Sequence, residues 1–230
     1  MYKIDNRTRS FFAMILLANL TGLTGQVRGG ALSENELKEL LGKIRERRTN
    51  APHVQADFRE EKTLHLMAKP IVSSGKVWFE APNKFRREVH GNSPSMTVSD
   101  GQMLWIYYPQ FKSAERYALG KRSPVDSVIA AINTALNLQD VEHTFQINAQ
   151  KIDNHYELEL TPRSGSMKRM FSKFNLRLND DLLAERTEMF QPNGDRVVTT
   201  YSNQSRAPIA RSTFEFAPPA GTEVTTPLGR

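Results

Sequence analysis

Five histidines, His53, His65, His90, His143 and His155, are the side chains best suited to hold a metal or move a proton near neutral pH. They are scattered, and no two share one element at ligand spacing. Asp100, Asp153, Asp180 and Asp181 fall in turn contexts, where a short carboxylate serves its own backbone. Glu157 and Glu159 alternate with leucines and read as the wet face of a strand. No His-Glu-x-x-His, Gly-x-Ser-x-Gly, P-loop or Gly-x-Gly-x-x-Gly occurs. The absence of cysteine removes a thiol nucleophile, Cys-based zinc, a disulfide framework and lipid attachment at an N-terminal Cys. No catalytic residue, metal or cofactor is therefore expected, and a hydrolase with an unrecognised site is the alternative. The chemistry that remains is apolar contact, carried by aromatic and aliphatic residues at period two.

That pattern is clearest from Lys76 to Pro109. Val77-Trp78-Phe79-Glu80 is closed by Ala81-Pro82-Asn83, and Lys84 to Val89 by Gly91-Asn92-Ser93-Pro94. Met96-Thr97-Val98 meets Asp100-Gly101, and Met103 to Tyr108 ends at Pro109. Alternation bounded by Gly, Pro, Asn and Asp marks half-buried strands, and Asp-Gly between two such runs marks a hairpin. The stretch predicts an antiparallel meander with one apolar face. Whether Leu104/Ile106 or Trp105/Tyr107 belong to that face is open, because a one-residue slip exchanges the faces.

Further elements must position this meander. Leu32 to Thr49 predicts a helix: Ser33 and Glu36 form a capping-box pattern, and Leu37, Leu40, Leu41 and Ile44 make one stripe. Strands are expected from His53, with a second part through Leu64 and Leu66, and over Ile71–Glu80, with Gly75 as a bulge or bend. Another follows from Ser113 to Leu119. Ser123-Pro124-Val125-Asp126 opens an unusually apolar helix running to Leu136, with Ser as N-cap and Pro at N1. It suits either a cover helix or a lid. After it, Thr144–Ile152 and His155–Thr161 form a hairpin, and a helical turn passes into a strand at Phe174–Leu178. Leu182–Gln191 and Arg196–Ser202 pair across Pro192-Asn193-Gly194-Asp195, Ala207–Phe216 is a last strand, and Pro218 onward is tail. The fold class is α+β, mainly β: an incomplete antiparallel barrel or strongly curved sheet of 10 or 11 strands, with helices over its concave face.

Residues 1–31 read as a secretory signal peptide, with Lys3, Arg7 and Arg9 ahead of the apolar run Phe11–Leu20 and small residues at Gly29-Gly30-Ala31. The run is shorter than the roughly 20 residues a membrane span needs. Cleavage is expected after Ala31, with Gly29 as the alternative, leaving residues 32–230 as one exported domain. The leader carries four bases and one acid, so about half of the formal +6 leaves with it. The remaining 27 basic and 24 acidic residues do not indicate a nucleic-acid partner.

Val77-Trp78-Phe79 with Pro82 and Phe85, Thr97-Val98-Ser99-Asp100-Gly101, and Leu104-Trp105-Ile106-Tyr107-Tyr108-Pro109 resemble the outer-membrane lipoprotein carrier family, LolA. So do Ala56-Asp57-Phe58, Leu158-Glu159-Leu160-Thr161-Pro162 and Phe214-Glu215-Phe216-Ala217-Pro218-Pro219-Ala220-Gly221, and the likeness covers about residues 33–225. It implies a monomeric, non-enzymatic periplasmic chaperone that takes acylated lipoproteins from an inner-membrane ABC transporter and passes them to an outer-membrane receptor. The acyl-chain pocket would be lined by Phe58, Phe79, Phe85, Val98, Ile106, Val128, Ile129 and Ile132, each of which could equally be plain core. The family places an arginine before the proline matching Pro82; here that residue is Ala81, and no lid-locking residue is carried over. A carrier of another lipid or acyl intermediate, or a binding or regulatory module, are the alternatives.

Overall fold

The computed structural model describes residues 30–119, 138 and 141–226. Helix α1, Glu34–Asn50, starts at the capping box: the Ser33 hydroxyl accepts from the Glu36 N–H, and the Glu36 carboxylate accepts from the Ser33 N–H at 2.8 Å. Its stripe of Leu40, Leu41 and Ile44 is buried. The strands are β1 (Gly30–Ala31), β2 (His53–Thr63), β3 (Ile71–Glu80), β4 (Lys84–His90), β5 (Ser95–Ser99), β6 (Met103–Tyr108) and β7 (Ser113–Ala118), then β8 (Phe145–Ile152), β9 (His155–Pro162), β10 (Lys173–Leu178), β11 (Ala184–Phe190), β12 (Arg196–Ser205) and β13 (Glu223–Thr225). All form one sheet in the order β1-β8-β9-β10-β11-β12-β2-β3-β4-β5-β6-β7-β13. Each half is a meander of neighbours, and the two join where β12 pairs antiparallel with β2.

Turn chemistry agrees with the sequence where it was strongest. Asp100 Oδ1 accepts from the Gln102 and Met103 N–H groups, both at 2.8 Å, and Gly101 takes φ +94°, so the β5–β6 hairpin closes as expected. Gly75 has a different role from a bulge. The β2–β3 and β3–β4 ladders run through it without a break, and a Cβ there would sit 1.7 Å from the Glu88 carbonyl oxygen.

Among the described residues the sheet has 13 strands, not 10 or 11. Gly30–Ala31, expected at the end of the leader, pairs with β8, and Glu223–Thr225, expected as tail, pairs parallel with β7. The expected strand at Ala207–Phe216 is instead an irregular segment with a 3-10 turn at Arg211–Phe214. Its alternation reflects packing against the sheet: Phe214 is buried, and Phe216 stacks on Trp105 and Tyr107 with ring centroids 5.6 and 5.4 Å away. The helix expected over Ser123–Leu136 falls outside the described residues.

Both halves of the sheet turn one face inward. On β8–β10 that face carries Phe145, Ala149, Leu158, Leu160, Leu176 and Leu178, which pack with the α1 stripe, Leu138 and Val141 into one buried core. The opposite face is charged, with Arg177–Glu157 at 2.7 Å across β9 and β10 and Arg196–Glu188 at 2.7 Å across β11 and β12. Period two on each strand is thus resolved into a greasy inside and an ionic outside.

Candidate functional site: a cavity inside the curved sheet

The inward face continues from β12 across β2 to β6, and there the described residues do not fill it. A cavity of about 460 Å³ remains, walled by Phe58, Phe79, Phe85, Leu104 and Ile106 on one side and by Phe174, Leu183, Met189 and Val197 on the other. Register explains the membership. Phe79 lies opposite Phe85, Phe85 opposite Ser99, and Ser99 opposite Leu104, so one row of inward side chains crosses four strands. The next row runs Ala56, Val77, Arg87, Thr97, Ile106. The open question of parity on β6 is thereby answered: Leu104 and Ile106 face the cavity, while Trp105 and Tyr107 face outward onto Phe216.

Of the residues expected to line a pocket, Phe58, Phe79, Phe85 and Ile106 come together on this wall. Val98 does not line it. It lies opposite Arg86 and Trp105, on the outer face, and is 2% exposed because the 207–216 segment covers that face; Arg86 Nη1 donates to the Thr213 carbonyl at 3.0 Å. Val98 and Ser99 are both buried, so burial does not tell the faces apart; pairing does. Val128, Ile129 and Ile132 lie outside the described residues. Ala81, at the position where the family resemblance implies arginine, donates its backbone N–H to the Pro52 carbonyl at 3.0 Å and presents only a methyl group.

The wall is not wholly apolar. Arg87 Nη2 donates to Glu60 Oε2 at 2.8 Å, and the guanidinium stacks on Phe58, its Cζ 4.3 Å from the ring centroid. Thr199 Oγ1 donates to the same Glu60 oxygen at 3.4 Å. Tyr201 stands beside them, and burial pushes its phenol above the ordinary value, so it lines the wall as a neutral hydroxyl. At the α1 end, burial and then the neighbouring Arg206 bring Arg48 down to about 10, which leaves it cationic at neutral pH. Sequence reasoning missed this polar group. The signal was present: Glu60 is two residues from Phe58, and Arg87 two from Phe85, so period two puts each on the same face as its aromatic neighbour.

Among the described residues no group of three or more His, Cys, Asp or Glu side chains could hold a metal ion, and no described helix is long and apolar enough to cross a membrane. The arrangement can take up an elongated apolar molecule and offer it charged contact at the Arg87–Glu60 pair.

Comparison with known proteins gives a consistent result. The family model described as outer membrane lipoprotein carrier protein LolA matches residues 49–217. An outer-membrane lipoprotein carrier protein of Dechloromonas aromatica is 29% identical over 178 residues, covering 76% of this chain and 82% of the relative. One from Yersinia pestis is 24% identical over 208 residues, covering 90% and 95%. Among solved structures, an uncharacterized conserved protein of Thermus thermophilus aligns with TM-score 0.51 at 13% identity, covering 83% of this chain and 98% of that one. A LolA superfamily protein of Nitrosomonas europaea aligns with TM-score 0.43 at 15% identity, covering 78% and 97%.

Proposed function

The chain belongs to the outer-membrane lipoprotein carrier family, and from that premise we propose that it is a non-enzymatic periplasmic carrier whose cavity holds the acyl chains of lipoproteins. The observation that supports this is the unfilled apolar space of about 460 Å³ on a face whose other half is solid core. Its size falls in the range of about 300–1,000 Å³ typical of ligand pockets. Each methylene withdrawn from water contributes about 0.8 kcal/mol, so an acylated protein does not cross an aqueous compartment unaided. A walled cavity offers the chains an alternative to the bilayer, and a wall that is only half-buried at Phe85 and Ile106 can give them up again.

On this reading residues 1–31 are a leader that directs export, and residues 32–230 form the working domain, a monomer. Cleavage after Ala31 would remove β1 and leave Leu32, whose N–H donates to the Ala149 carbonyl at 2.8 Å, as the new terminus on β8. The cargo comes from an inner-membrane ABC transporter and goes to an outer-membrane receptor. Phe58, Phe79, Phe85 and Ile106 contact the chains.

The test is release. Inner-membrane vesicles carrying a labelled acylated lipoprotein and the transporter are incubated with the purified protein and ATP. The expected result is lipoprotein in the supernatant as a complex with the carrier, transferable to outer-membrane vesicles. Folded protein that releases no lipoprotein overturns the proposal.

A further inference from the structure

A cavity that receives only hydrocarbon has no use for a charged pair in its wall, yet Glu60 and Arg87 are both there, on the inward face and about three-quarters covered. Burying a charge is costly unless hydrogen bonds and a partner replace water. The cost is met in the empty cavity by Glu60 at 2.8 Å, Thr199 and the face of Phe58. A plain chain entering would strip the remaining water from this pair and return nothing. A guanidinium, however, is a planar fork of five N–H donors, one of which goes to Glu60, and its geometry matches a carboxylate or phosphate.

We propose that Arg87, held in place by Glu60 and Phe58, is a headgroup station, and that the cavity binds anionic single-chain amphiphiles with the acid group on Arg87 and the tail along Phe79, Phe85 and Ile106. The shared chemistry is an acyl chain ending in a carboxylate or a phosphate. Glu60 is the built-in competitor: with no ligand it neutralises Arg87, and an incoming anion takes over part of the fork. This rests on the cavity being a hydrocarbon site, and goes beyond it by assigning a charge preference and the residue that sets it.

The experiment compares 16-carbon ligands that differ only at the head. Hexadecanoic acid, hexadecanol and the matching lysophosphatidic acid are titrated into the purified protein below their micellar concentrations, with displacement of a fluorescent hydrocarbon probe as the readout. The acid is expected to bind about tenfold more tightly than the alcohol, the scale of one charge-assisted hydrogen bond. Whichever of carboxylate and phosphate binds more tightly identifies the head. Arg87→Met is expected to bring the acid-to-alcohol ratio to about one, and Glu60→Gln, which removes the competitor and keeps the shape, to raise it. Near-UV circular dichroism checks that each variant is folded. If Arg87→Met does not fold, the Glu60→Gln ratio decides. Equal binding of acid and alcohol by the unaltered protein overturns the headgroup station and leaves the hydrocarbon cavity standing. Binding of neither ligand overturns both.

Discussion

On the concave face of a single sheet, β8–β10 and β2–β6 use the same inward alternation to opposite ends. Over β8–β10 the inward side chains meet the Leu40, Leu41 and Ile44 stripe of α1, and residues such as Phe145, Leu160 and Leu178 are wholly buried. Over β2–β6 the α1 stripe does not cover them; α1 reaches the space there with Arg48, and Phe85 and Ile106 remain half-buried around it. The outer faces are reversed as well. Behind β9–β12 the back of the sheet carries ion pairs, whereas behind β4–β6 it is covered by the 207–216 segment, with Phe216 on Trp105 and Tyr107. The half that encloses the cavity is therefore braced from outside, and the half that is packed inside needs no brace. A carrier gains from this division: a close-packed core resists change, so the deformable wall and the stable core are best kept apart.

The sharpest way to break this comparison is to truncate one side chain in each half. Phe145→Ala is expected to cost about 3–5 kcal/mol, since the ring is fully buried against Phe171 at 6.1 Å. Ile106→Ala, on the cavity wall, is expected to cost less than about 1 kcal/mol while weakening hydrocarbon binding, because its side chain already faces a void. Urea unfolding measures both, and equal losses would mean that the wall is core. Next in size is Gly75→Ala. The Glu88 carbonyl must move to admit a Cβ, so a loss of about 1–3 kcal/mol is expected, with the cavity narrowed near Phe58. Unchanged stability there would show that β3 and β4 separate freely.

Phe216→Ala tests the external brace. It removes two aromatic contacts, for about 1 kcal/mol in all, and is expected to speed proteolysis of residues 207–226 more than it lowers global stability. The smallest effect belongs to the ionic back of the packed half. The Arg177 hydrogen bond is the main cause that holds the Glu157 carboxyl below its ordinary value. A depressed folded value means that the contribution is full above the unfolded-state value, and is lost as pH falls through the folded one. Unfolding free energy followed through the carboxylate range is expected to fall less steeply in Glu157→Gln than in the unaltered chain. Parallel profiles would show that the pair adds nothing.

Much of the fold was legible because its signals are local. The capping box at Ser33, the Asp100-Gly101 hairpin and the alternation of each meander all act within a few residues. The strand count was less legible at the edges. Gly30–Ala31 and Glu223–Thr225 carry no strand pattern of their own and pair because a neighbouring edge is available. Ala207–Phe216 shows the converse, apolar residues that pack on a sheet without joining it. Phe58, Phe79, Phe85 and Ile106 could be chosen for the wall as strand aromatics and aliphatics. Val98 was assigned to the wall and lies on the outer face, since its own strand does not say which face turns inward. Glu60 and Arg87 were not chosen for the wall, although their spacing from Phe58 and Phe85 put them on the inward face.

By itself the sequence determined that this is a β-rich chain with no recognisable catalytic set, and which residues could share a face. Propensity, turn chemistry and period two operate along the chain and need no partner. Only the tertiary structure decided that one stretch of apolar face is core and another is cavity. That outcome depends on which side chains arrive from across the sheet: among the described residues the α1 stripe packs on β8–β10, and the inward side chains of β2–β6 border open space.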